Sequence, residues 1–266
     1  MSQFVPVRYE THGTKKWLHF NSYEFSAREA VIPLAAQELS HAVMSLPVGF
    51  VPQGDGFIPV AILGLTPGEN LLVGANGQWL GRYIPAVFRC HPFHLMNRAD
   101  GQIVLYVRED SGLVVDGPNG EPFFDENANA AKSTNDILAL LQHVHQGRLV
   151  AQRMCQALEK HGLIQPWAIN VQTPEGNQRI DGIYRIDEAK LNGLDPAAVA
   201  ELHAAGALPL AYCQLLSMQH LAALGQLATA RLQTQQQQQE LPITPSGELN
   251  LDFLTRDGLI DFSGLS

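Results

Sequence analysis

Apolar residues return at three- and four-residue steps between Ser133 and Lys160, at Ile137, Leu141, Val144, Ala151, Cys155 and Leu158. That period predicts one long helix with a single buried face, and Gly162 is placed to cap its end. Upstream the pattern changes to short apolar runs punctuated by glycine and proline. Val43 to Val51 and Ile58 to Leu65 flank the polar turn Gln53-Gly54-Asp55-Gly56. Pro67-Gly68 suits the central pair of a type II turn. A short strand, Asn70 to Gly74, then meets Asn76-Gly77, a strong hairpin signal, and the returning strand carries Trp79, Gly81, Arg82 and Tyr83. Pro85 opens a short helix at its first position and Pro92 stops it. His94 to Arg98 and Gln102 to Arg108 form a second hairpin about Asp100-Gly101, with Ile103 to Val107 as a buried strand.

The remaining segments follow the same logic. Phe4 to Phe25 alternates weakly and reads as a strand or extended arm. Ala27 to Ser40 has helical composition behind a Ser26/Glu29 capping box, shortened by Pro33. Asp116 to Ala131 is a loop anchored by Phe123 and Phe124. Trp167 to Gln172 and Gln178 to Ile186 are strands around Pro174-Glu175-Gly176, and Tyr184, Arg185, Asp187 and Glu188 organise the strand-to-helix junction that follows. Asp195 caps a helix from Pro196 to Ala205, and Leu208 to Leu232 is helical. Gln235 to Gln239, with Pro242 and Pro245, reads as a linker. Leu249, Leu251, Phe253 and Leu259, Ile260, Phe262 flank Asp257-Gly258, and this stretch reads as a docking or partner-binding tail.

The expected fold is α+β: an antiparallel hairpin-rich sheet in the first half, packed with a long helix and a helical second half containing one further hairpin. One domain spans 1–232, followed by a linker at 233–248 and the tail at 249–266.

Composition narrows the function classes. The 266 residues are 45% apolar and 16% charged with a formal net charge of -9, which argues against a nucleic-acid partner. Cys90, Cys155 and Cys213 are odd in number and widely spaced, a pattern of reducing compartments. The first residues lack a signal-peptide core. No apolar run approaches the ~20 residues of a membrane helix. A cytoplasmic protein without a membrane span is expected.

Candidate chemistry is sparse. Cys90, His91 and His94 form a zinc-compatible ligand set, but Pro92 interrupts their spacing and no second cluster completes a site. His143 and His145 point to different helix faces. The chain lacks an H-x-D iron motif, a G-x-S-x-G elbow, a phosphate loop and a G-x-G-x-x-G turn. Cys155 and Cys213 read as packing residues. No catalytic residue and no cofactor is assigned. Within Gln78 to Pro85 (QWLGRYIP), Trp79, Arg82 and Tyr83 offer flat faces and a guanidinium suited to a protein or peptide partner. The competing reading packs both rings on the long helix. Homo-oligomerisation stays open.

Several stretches resemble the bacterial SapC-like family: PVAILGLTPGENLLV, GQWLGRYIPAVFR, HPF, HGLIQPW, DGIYRIDEAKLNGL, GALPLAYCQLLSMQHL and the terminal LDFL. The resemblance covers about residues 40–232. It implies a protein without established catalytic residues, its gene grouped with those of flavin-dependent tryptophan halogenases, cupin or JmjC-like hydroxylases and TonB-dependent receptors. The implied role is accessory, in peptide or protein modification or in uptake. The alternatives are a metal-assisted enzyme using Cys90, His91 and His94, and a surface-layer associated protein, after which the family is named.

Overall fold

The polar turn Gln53-Gly54-Asp55-Gly56 closes the longest hairpin of the computed structural model, which describes residues 3–98, 101–173 and 176–240. Gly54 sits at φ 59°, a backbone that costs glycine nothing. Strands Val48–Gln53 and Gly56–Ile62 pair antiparallel from Val48↔Ala61 to Gln53↔Gly56. They are the middle of a five-stranded sheet in the order Ile164–Pro166, Tyr184–Ile186, Val48–Gln53, Gly56–Ile62, Val31–Pro33. A second sheet orders Phe4–Pro6, Ile103–Arg108 and Phe93–Asn97, and a small third one orders Val114–Val115, Lys16–Trp17 and Glu121–Pro122. Ile169–Thr173 and Gly176–Ile180 form a separate hairpin; Pro174 and Glu175 at its turn lie outside the described residues. The chain is α+β, as its pattern predicts.

One helix, Lys132–Lys160, joins the two larger sheets. Its apolar face serves two cores in turn. Leu141 packs with Trp17, Cys90, Phe93 and Phe123, whereas Cys155 and Leu158 belong to the large core with Phe50, Ile62 and Leu163. The helix ends as Gly162 predicts. Gly162 adopts φ 61°, its N–H donates to Glu159 O, and Leu163 N–H donates to Leu158 O, the paired bonds of a Schellman cap.

Polar side chains close the seam where the strand Tyr184–Ile186 meets its neighbour through the single pair Tyr184↔Phe50. From the helix Ala207–Ser217, buried Gln214 accepts from Ile186 N–H at 2.9 Å and donates to Val48 O at 3.2 Å. Ser217 Oγ accepts from Val48 N–H at 2.9 Å. These bonds satisfy strand groups that would otherwise be buried without partners.

The expected helix from Ala27 to Ser40 is replaced by three pieces. Ser26 ends a 3-10 turn, Val31–Pro33 is an edge strand, and a 3-10 turn at Ala36–Glu38 leads into the short helix Leu39–Ala42. Two β-branched residues followed by a proline that lacks an N–H suit an edge strand. Asn70 to Gly74 is likewise no strand; it contributes one bridge, Val73↔Trp79, beyond the Asn76-Gly77 turn. Pro85 is the N-cap of the helix Ala86–Arg89 rather than its first residue. Leu208 to Leu232 divides at a 3-10 turn, Met218–His220, and the last helix runs from Leu221 to Glu240. The glutamine tract therefore continues that helix. The rest of the predicted linker and the predicted tail at 249–266 lie outside the described residues.

Candidate binding cleft

Trp79 and Tyr83 are half-buried and commit their polar atoms internally. Trp79 packs beside Tyr23 and Phe88, and its Nε1–H donates to Tyr83 O at 3.0 Å. The Tyr83 hydroxyl donates to Glu38 Oε1 at 2.8 Å, and its ring stacks over His41. Arg82 is exposed beside exposed Leu80.

The cysteine and histidines of the HPF motif separate. Cys90 is buried in the second core, and burial pushes its thiol up to about 11. His91 and His94 instead face a cavity of about 370 Å³ whose walls include Phe25, Phe88, Leu95 and Arg108. The His91 ring stacks on Phe25 with centroids 3.7 Å apart and planes 4° from parallel. His94 meets the edge of Phe4. No group of three or more His, Cys, Asp or Glu side chains among the described residues is placed to hold a metal ion.

A second cavity of about 380 Å³ shares Phe25, His91 and Arg108 with the first, so the two adjoin across these residues. Its far wall is polar, with Asn21, Ser22 and Asp110. A third, of about 310 Å³, is lined by Pro33, Leu34, Asn97, Arg148 and Leu149. The first and third are built from the same two strands. Ile32 and Leu95 line one; Pro33 and Asn97, one and two residues further on, line the other. Both strands, Val31–Pro33 and Phe93–Asn97, are outermost in their sheets. The cleft thus runs where two sheet edges approach.

Its electrostatics are unusual for a surface depression. Burial, with Arg108 and His94 nearby, lowers His91 to about 4. Burial, with Arg108 and Arg148, also lowers His94. Both imidazoles are neutral at pH 7, and among the described residues neither has a hydrogen-bond partner for its ring nitrogens. Arg108 donates through Nε to Asp110 Oδ1 at 3.2 Å and makes no bond through its two η nitrogens. Arg148 has a buried Nε without a partner and reaches Pro33 O at 3.5 Å. The cleft therefore offers neutral imidazoles, two guanidinium groups and aromatic walls, with the carboxylates of Glu29, Glu24 and Asp110 also in its lining.

Burial raises Cys155 to about 12 and raises Cys213, so every thiol is held in its un-nucleophilic form. A cavity of about 630 Å³ beside the last helix has no charged residue in its wall.

The sequence pointed to His91 and His94 but not to Phe25, Arg108 or Arg148. One signal was available for Arg148. It falls four residues after Val144 and three before Ala151, on the apolar stripe of the long helix, where an unpaired charge is costly. Nothing local marked Phe25 or Arg108, because only tertiary packing brings the 3-10 turn Glu24–Ser26 and the strand Ile103–Arg108 to His91.

The family model described as SapC matches residues 7–224. No curated protein and no solved structure matches the chain. The matched span contains the five-stranded sheet, the long helix and the cleft residues Phe25, His91, His94, Arg108 and Arg148. The chain belongs to the SapC family.

Proposed function

We propose that this is a non-catalytic cytoplasmic accessory protein that binds a peptide segment, free or on a partner enzyme, in the cleft between the two sheet edges. The observation that carries this reading is His91: more than nine-tenths buried, neutral, stacked on Phe25, and presenting ring nitrogens without a protein partner to two adjoining cavities. Those nitrogens are open to the cavities, so a bound partner can reach them as one neutral donor and one acceptor.

The family resemblance supplies a setting, the peptide- or protein-modifying halogenase and hydroxylase systems. The test is co-elution of the purified full-length protein with a halogenase or hydroxylase of the kind the family resemblance implies, and with that enzyme's peptide substrate. A complex weakened by Phe25→Ala and Arg108→Ala is the expected result. Absence of a complex with the enzyme and with peptides alike overturns the reading.

A further inference from the structure

From the free edges of the two sheets we infer that the cleft takes its peptide as an added β-strand, an extended segment carrying an acidic side chain flanked by apolar ones. This rests on the peptide-binding reading above and specifies its mode and its ligand.

The backbone supplies the first argument. Pro92 O accepts from Arg108 N–H and Arg98 N–H donates to Gln102 O, at the two ends of the ladder between Phe93–Asn97 and Ile103–Arg108. Antiparallel pairing alternates inward and outward. Residues 92, 94, 96 and 98 therefore bond inward, and Leu95 and Asn97 point their N–H and C=O groups outward. On the other side, Leu63 N–H donates to Ala30 O and Leu34 N–H donates to Pro59 O. Residues 30, 32 and 34 bond inward and Val31 N–H and C=O point outward, while Pro33 C=O accepts from Arg148 Nη2 at 3.5 Å. The outward groups of Leu95 and Asn97 thus border the two cavities, with the edge strand Val31–Pro33 across from them. An extended peptide carries donors and acceptors on both its sides and matches such a site better than a compact small molecule.

Side chains define the segment. Successive residues of a strand point to opposite faces. Phe25, Ile32, Val87 and Phe88 form an apolar wall in one cavity, and the exposed apolar side chains Met96 and Leu149 border the cleft. The free η nitrogens of Arg108 and the Arg148 guanidinium lining the other cavity mark two places for a carboxylate. The chain's net charge of -9 does not oppose this at short range, since charges beyond about 10 Å are screened at ordinary ionic strength.

The experiment uses peptides selected from a random displayed library on the immobilised full chain, resynthesised and measured by calorimetry. Methylation of single backbone nitrogens along the best peptide should weaken binding at alternate positions. Leu95→Pro and Asn97→Pro remove outward donors while sparing the ladder. Each should weaken binding about ten-fold, with the melting temperature read alongside to show that the fold survives. Arg148→Gln should weaken acidic peptides more than their amide counterparts, a comparison independent of the proline variants. A peptide that binds but tolerates methylation everywhere and ignores the edge variants overturns strand addition while leaving peptide binding intact. A library that yields no binder overturns both. Occupation of the cleft by a second copy, seen as a doubled mass that Leu95→Pro abolishes, or by residues 241–266, seen as exchange protection at Leu95 and Asn97 lost on their removal, also overturns the proposal.

Discussion

Tyr83 and Glu38, 45 residues apart, meet in a 2.8 Å hydrogen bond that fixes the loop carrying Trp79 to the turn before the helix Leu39–Ala42. The same carboxylate oxygen accepts Ala86 N–H at 2.7 Å, and Oε2 accepts Ala35 N–H at 3.0 Å. Glu38 is 3% exposed, so its charge rests on these three donors. Burial first, then Glu38 itself, raises the Tyr83 phenol, which keeps the proton it donates.

Glu38→Ala should therefore destabilise the fold by on the order of 3–5 kcal/mol, because it orphans buried donors from three segments. Tyr83→Phe removes one bond and should cost about 1.5–3 kcal/mol. Urea unfolding of both variants and the double mutant measures the coupling. A Glu38→Ala variant as stable as the parent would refute this account.

Gly64 and Gly147 answer opposite questions about space. A Cβ at Gly64 would stand 1.8 Å from the carbonyl oxygen of Glu69, a backbone atom held by the Pro67-Gly68 turn. At Gly147 the same 1.8 Å is to Gln37 Oε1, the end of a flexible, exposed side chain. Gly64→Ala should cost several kcal/mol, of order 3 or more, through backbone displacement. Gly147→Ala loses the Gln37 bond to His143 O but gains ~1 kcal/mol of helix propensity, and should lie within about 1 kcal/mol of the parent. Melting temperatures of the two variants decide it, and equal losses would contradict the distinction.

Gln214 bridges two strands at once, and its replacement should show it. Gln214→Leu leaves Ile186 N–H and Val48 C=O buried without partners, an expected loss of about 2–4 kcal/mol. Ser217→Ala should cost less, about 1–2 kcal/mol. Hydrogen exchange at Ile186 and Val48 reads the effect directly. Protection unchanged in Gln214→Leu would show that the seam is held by packing alone.

What the sequence disclosed depends on the range of the forces involved. The long helix, its glycine cap, the hairpin at Gln53-Gly54-Asp55-Gly56, the pairing of Phe93–Asn97 with Ile103–Arg108, and the Asp195 cap are local events, and their residues announce them; Asp195 accepts from Ala197 and Ala198 N–H as its type predicts. Val31–Pro33 escaped because its strand identity comes from pairing with Gly56–Ile62, while its own neighbours favour a helix. The cleft escaped for the same reason. His91 is in a recognisable motif, but Phe25 and Arg108 reach it only after both sheets form. Nothing in the sequence marks Glu38 for burial, which depends on the bonds from Tyr83 and Ala86.

His91 also predicts how stability follows pH. Its ordinary value of 6.5 falls to about 4 in the fold, chiefly through burial and secondarily through Arg108 and His94. Between those values the unfolded chain binds a proton that the native state does not, so stability rises with pH. The contribution is intact above 6.5, falls as pH drops through the window, and is fully lost below about 4. At 1.36 kcal/mol per unit, cooling of this term between pH 7 and pH 4.5 amounts to about 2–3 kcal/mol. His12 and His94 are lowered too and steepen the total slope. The comparison that isolates His91 is the parent against His91→Phe, which retains a ring against Phe25. Denaturant unfolding at both pH values should give a shallower loss in the variant by that amount. Identical slopes would mean that His91 accepts its proton in the native cleft, with the ring exposed to water and free to leave the Phe25 stack.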